Sequence, residues 1–207
     1  MWSPCCGNNL VGGLAGSNPS LAALINLIDI AFYGIGMVLF IIMAVFVTNR
    51  LILHKMPPAM AAPTFWVLLG PVGVGTIALL GLAGASETLG LTSATDVFGM
   101  LSLTFWGFGL WAFALTAVVT IKYLKSGGVP FSLSWWAFIF PLAAYTMASL
   151  EIYNYTRVPL VFWYAAALAA LLTVLWAATF IKTLTGTLNG RLLSPPSAPA
   201  PARKPAK

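Results

Sequence analysis

Five long apolar runs follow one another along the 207 residues, separated by short polar or Gly/Pro-rich breaks. They read as spans over about Leu21–Val47, Pro63–Gly84, Val97–Leu124, Trp135–Leu150 and Val158–Ile181. Roughly 20 apolar residues in a helix cross ~30 Å of hydrocarbon, so the pattern predicts an all-α integral membrane protein with five transmembrane helices. Residues 1–20 read as an extracytoplasmic loop, residues 21–191 as one five-helix transmembrane domain, and residues 192–207 as a disordered, basic, Pro/Ala-rich tail. The connections read as a turn over Met56–Ala62 and loops over Ala85–Asp96 and Glu151–Arg157.

The spans fall into two designs. The second and fourth carry a proline in their interior and no charged residue. Pro71 removes the donor for the Val67 carbonyl, and Pro141 the donor for the Ala137 carbonyl. Gly70, Gly73 and Gly75 surround Pro71, where small residues let a neighbouring helix or a permeant approach the backbone. No strand precedes this glycine run and no Lys-Ser/Thr follows it, so it is not a phosphate-binding loop. The first, third and fifth spans have no interior proline and suit an outer wall around an inner pair.

Composition fixes the solvent. Hydrophobic residues make up 60% of the chain and charged residues 7%, against about 25% charged in a soluble domain. The formal net charge of +6 is spread over span ends and tail, which points to membrane anchoring and not to nucleic acid. Arg50, Lys55, Lys122, Lys125, Lys182, Arg191, Arg203, Lys204 and Lys207 fall on one side of a five-span topology. Only Arg157 falls on the other, with Glu87, Asp96 and Glu151. The positive-inside rule puts the C-terminus in the cytoplasm and Met1 outside.

Candidate chemistry is sparse. Cys5 and Cys6 are adjacent and have no third cysteine as partner. No His/Cys cluster suggests a metal, and nothing calls for a cofactor. Asp29 lies inside the first span, where an acidic residue is either a functional group such as a proton-coupling site or an interfacial residue hydrated near the span start. His54 reads as interfacial. There is no zinc-protease motif, paired intramembrane aspartate or Ser/His constellation, so the chain reads as a non-enzyme.

Two stretches carry a family resemblance. NRLILHKMPPAMAAPTFWVLLGPVGVG (Asn49–Gly75) and WWAFIFPLAAYTMAS (Trp135–Ser149) together resemble the TehA-type tellurite-resistance and C4-dicarboxylate (malic acid) transporters and the plant slow anion channels. The resemblance covers roughly Gly7 to Arg191. It implies a ten-helix pore of five helical hairpins, of which this chain corresponds to helices six to ten. It implies trimers in the cell membrane, with odd-numbered helices lining each protomer's pore. The second and fourth spans then line the pore, in agreement with their prolines. It also implies an aromatic pore gate, matching Phe140, with Phe138 as the alternative two residues away. On this comparison a five-helix N-terminal half is missing from the chain.

The expected function is transport of small anions (malate or another C4-dicarboxylate, sulfite, tellurite or inorganic anions) through an apolar pore. Phe140 or Phe138 is the gate, Pro71, Gly73, Gly75 and Pro141 shape the pore helices, and Arg50, Lys55, Lys122 and Lys125 attract anions. The alternatives are a non-conducting membrane subunit or truncated remnant, and a proton-coupled dicarboxylate transporter using Asp29.

Overall fold

The computed structural model describes residues 11–53 and 58–189, and all regular structure among them is helical. Five long helices follow in order: α1 (Pro19–Leu53), α2 (Leu69–Thr88), α3 (Thr92–Lys125), α4 (Trp136–Thr156) and α5 (Pro159–Leu188). Two 3₁₀ segments, Ala59–Leu68 and Leu133–Trp135, lead directly into α2 and α4. All five units are long and apolar enough to cross a membrane, so this is a multi-pass membrane protein.

The connections are tighter than the sequence pattern implies. The turn expected over Met56–Ala62 already winds as 3₁₀ helix from Ala59, where Ala61 N–H donates to the Pro58 carbonyl. Residues 11–14, inside the expected N-terminal loop, form a helical turn whose Val11 packs with Ala22 and Ala85. The loop expected over Ala85–Asp96 shrinks to three residues, because α2 runs to Thr88 and α3 begins at Thr92. The loop expected over Glu151–Arg157 is helical up to Thr156. Polar residues ended the apolar runs on paper, but Glu87 and Glu151 are good helix formers and extend the helices beyond the hydrocarbon. Arg157 stops α4 in the left-handed region (φ 58°), with its N–H on the Tyr153 carbonyl. Val158 is extended as a residue before proline must be, and Pro159 opens α5 at N1.

Pro71 acts differently from a mid-helix break. Pro63 and Pro71 bracket a stretch that winds as 3₁₀ helix, and α winding begins only at Leu69. Pro71 therefore sits in the first α turn, where a missing donor costs least. The Trp66 and Val67 carbonyls accept from backbone N–H groups at the start of α2, so the Val67 carbonyl is covered from within the chain.

Burial separates the helices into two classes. Of the most apolar stretch in each spanning unit, 61% is buried in the second and 44% in the fourth, against 6%, 22% and 11% in the first, third and fifth. The main core forms where Leu69, Val72, Leu142 and Tyr145 meet, with Ala112 of α3 and Leu168 of α5 closing it. Thus α2 and α4 pack against each other, α3 backs α2, α5 backs α4, and α1 leans on the α2 side.

Candidate functional site

The contact between α2 and α4 is made through glycine. A Cβ on Gly73 would come within 2.5 Å of the Ala144 carbonyl carbon and 2.6 Å of the Tyr145 nitrogen. A Cβ on Gly70 would lie 3.6 Å from the Phe140 ring and 3.7 Å from Pro141 Cα. Gly75 faces α3, where a Cβ would meet the Phe105 ring at 2.5 Å. With the backbones this close, one face of each inner helix is committed to the seam and the opposite face is left open. On the α2 unit Thr64, Val67, Pro71 and Val74 are exposed, recurring at helical spacing. On α4 the open positions are Phe140 and Met147, seven residues apart. This open surface carries no ionisable side chain.

Phe138 and Phe140 have opposite surroundings. Phe138 is 4% exposed and Phe140 66%; two residues along a helix is a turn of about 200°. The Phe138 ring packs edge-to-face on Trp66 at 5.4 Å and on Trp135 at 5.9 Å, and Trp66 meets Phe113 of α3 at 5.8 Å. Trp66 also donates its indole N–H to the Thr120 hydroxyl (2.9 Å). This cluster sets the rotation of α4 about its axis, and so aims Phe140 at the open face.

The start of α4 is clasped from two sides. Trp135 donates to the Pro130 carbonyl (3.1 Å), and the Lys182 ammonium of α5 sits 4.2 Å from the Trp135 ring centroid. Trp136 donates to the Thr183 hydroxyl of α5 (3.2 Å), and the Ser134 hydroxyl to the Met60 carbonyl (3.2 Å). Deeper in the bundle, the Tyr145 hydroxyl donates to the Trp106 carbonyl (3.0 Å), and the Trp106 indole N–H to the Ser149 hydroxyl (2.9 Å). Gly109 of α3 makes room for the Tyr145 ring. Polar side chains bonded across helices and small residues at the seams are how helices associate where lipid is the solvent.

Residues 1–184 match the sequence profile described as voltage-dependent anion channel, which is nearly the whole chain. The chain belongs to the voltage-dependent anion channel family. An uncharacterized transporter of Methanocaldococcus jannaschii is 34% identical over 189 residues, covering 91% of this chain and 53% of the relative. The sulfite efflux pump SSU1 of Trichophyton rubrum is 26% identical over 81% of this chain and 46% of its own length. The S-type anion channel SLAH3 of Arabidopsis thaliana is 24% identical over 85% of this chain and 25% of its own length. The chain thus spans about half the length of the archaeal relatives it matches. No solved structure matches it significantly.

Within this voltage-dependent anion channel chain the sequence candidates separate clearly. Pro71, Gly73, Gly75 and Pro141 all lie on α2 and α4, with Gly73 and Pro141 buried at the seam. Phe140 lies on the open face and Phe138 in the core. Arg50 is exposed in the last turn of α1, and Lys122 and Lys125 are exposed in the last turn of α3. Lys55 and His54 lie outside the described residues, as do Cys5, Cys6 and the basic tail. Asp29 is partly exposed on α1, one turn beyond the buried Asn26. Lys182 was not among the expected anion-attracting residues. Its signal in the sequence is only a basic residue at a span end, and its partner Trp135 is 47 positions away.

Proposed function

We propose that this chain forms one side of a pore for small anions, lined by the open face of α2 and α4 and gated by Phe140. The observation that carries the reading is the exposure of Phe140 on an uncharged surface while its neighbour Phe138 is locked in the core. Val67, Pro71, Val74 and Met147 make the same surface apolar, so an ion passing it is neither repelled by a carboxylate nor held by a cation. Phe140 acts there as a steric and dewetting gate. Lys122, Lys125, Arg50 and Lys182 stand at the helix ends where α2 and α4 begin, and raise the anion concentration at that mouth.

Two faces cannot enclose a pore, so the reading calls for further inner helices besides those of these five spans, in a trimer of such pores. Support for it comes from the coverage of only 53% of the archaeal relative and from the family resemblance of the two signature stretches. The sulfite efflux pump and the S-type anion channel among the relatives support sulfite or another small anion as the substrate. Asp29 lies on α1 and not on either helix of the inner pair, and is given no part in permeation. The basic mouth faces the cytoplasm of the cell membrane, by the charge asymmetry.

The test is anion flux in liposomes, with this chain reconstituted alone and together with the remaining half of the archaeal relative. Flux is expected only for the pair, and Phe140→Ala is expected to raise it at least tenfold by removing the plug. Equal flux in Phe140→Ala and the parent pair overturns the gate. Full flux from these five spans alone overturns the need for further inner helices.

A further inference from the structure

Separated from the open face of α2 by Phe40, α1 and α3 line a groove of about 650 Å³. Phe40, Phe105, Phe108 and Trp111 form its floor, and Ile41 and Val45 its outer wall. Phe40 holds the two helices at a fixed spacing, edge-on to Phe105 at 5.8 Å and to Phe108 at 6.4 Å. Towards the basic end the lining turns polar, at Thr48 and Asn49, before Leu53 closes α1.

The side chains argue against a helix as the occupant. Membrane helices pack through small residues, whereas this groove is walled by large aromatic and branched side chains with Ala44 as the exception. The distance from it to the basic end suits one leaflet. Phe108, Trp111, Leu115 and Lys122 recur at helical spacing on one face of α3. The eleven steps from Trp111, the last lining residue on α3, to Lys122 rise about 16 Å, close to half of the ~30 Å hydrocarbon core. Lys122 is exposed there, and the described carboxylates Glu87, Asp96 and Glu151 all lie at the other end of the bundle. An apolar slot about one leaflet's thickness from an ammonium that has no described carboxylate at its end of the bundle is complementary to an acyl chain beneath an anionic headgroup.

We propose that the groove between α1 and α3 is a binding site for an anionic phospholipid, its acyl chain against Trp111 and Phe108 and its phosphate at Lys122. This site is independent of the pore reading. On the pore reading, a bound phosphate also neutralises one of the charges at the mouth, so the lipid sets how strongly that mouth attracts anions.

The chain is reconstituted in phosphatidylcholine vesicles containing brominated phosphatidylglycerol or, at equal mole fraction, brominated phosphatidylcholine. The Trp111 signal is the fluorescence difference between the chain and its Trp111→Phe variant. Trp163, 69% exposed on α5, is read in the same way as a control for lipid contact away from the groove. The anionic quencher is expected to act on Trp111 at an about fivefold lower mole fraction than the zwitterionic one, the preference one lysine gives near a membrane surface. Lys122→Gln is expected to erase that preference. Val45→Phe, which fills the groove, is expected to protect Trp111 from both lipids while Trp163 stays quenched. Equal quenching of Trp111 by the two lipids overturns the proposal, as does a preference that survives Lys122→Gln. A Trp111 shielded from both lipids in the unmodified chain overturns it too, because protein then fills the groove.

Discussion

The first and fourth spans show how little apolarity has to do with burial in this protein. The α1 unit is the most apolar of the five and the least buried, whereas the α4 unit is the least apolar and has 44% of its central stretch buried. In water the order would be reversed, because burial there follows apolar area. In lipid both helices are equally well solvated, and a helix enters the interior only if its neighbours can approach closely and its polar groups find partners. The α2–α4 seam has both means, in the close contact of Gly73 with Ala144 and the bonds of Trp66 and Tyr145 to α3. Gly34 and Gly36 of α1 have nothing within 4 Å of where a Cβ would stand, so glycine there brings no helix closer.

The contrast is sharpest within α4 itself. Phe138→Ala is expected to destabilise the protein by about 3 kcal/mol, since it opens a cavity between Trp66 and Trp135. Phe140→Ala is expected to stay within ~0.5 kcal/mol, as for other exposed positions. Unfolding in mixed micelles with increasing SDS measures both, and equal costs for the two variants would remove the basis for assigning them different roles. At the seam, Gly73→Ala is expected to cost about 2 kcal/mol by forcing backbone apart. Gly34→Ala in α1, where the added methyl meets nothing, is expected to be neutral or to stabilise by ~0.5 kcal/mol through helix propensity. A matched pair of thermal unfolding scans checks this, and a sensitive Gly34 would mean that α1 has a partner surface of its own. A small effect also belongs to the interhelical hydrogen bonds. Ser149→Ala removes the acceptor of the Trp106 indole and is expected to cost about 0.6 kcal/mol, typical of such bonds in a bilayer. A loss of several kcal/mol there would make hydrogen bonding, and not close glycine contact, the main tie between the helices.

Much of the architecture was legible in the residues. Five spans, their order and the basic end follow from run length and charge placement, because crossing lipid demands about 20 apolar residues whatever the tertiary fold. The distinction between α2 and α4 and the other helices was legible from Pro71, Pro141 and the glycines around Pro71. Span ends were less so: the helices run on through Glu87 and Glu151, since leaving the hydrocarbon does not oblige a helix to stop. The WW pair stood out in the sequence, but its work did not, because Trp135 and Lys182 meet only across the α4–α5 contact.

What the sequence determined by itself is the number of helices, their solvent and which ends carry positive charge. Each depends on composition along the chain, and composition needs no partner to act. Tertiary structure alone decided which side of each helix faces what. Around an apolar helix the hydropathy of Phe138 and Phe140 is identical, and lipid expresses no preference between them. The difference arises only when Trp66, Trp135 and the Gly73 seam fix the rotation of α4, burying one ring and leaving the other on the open face.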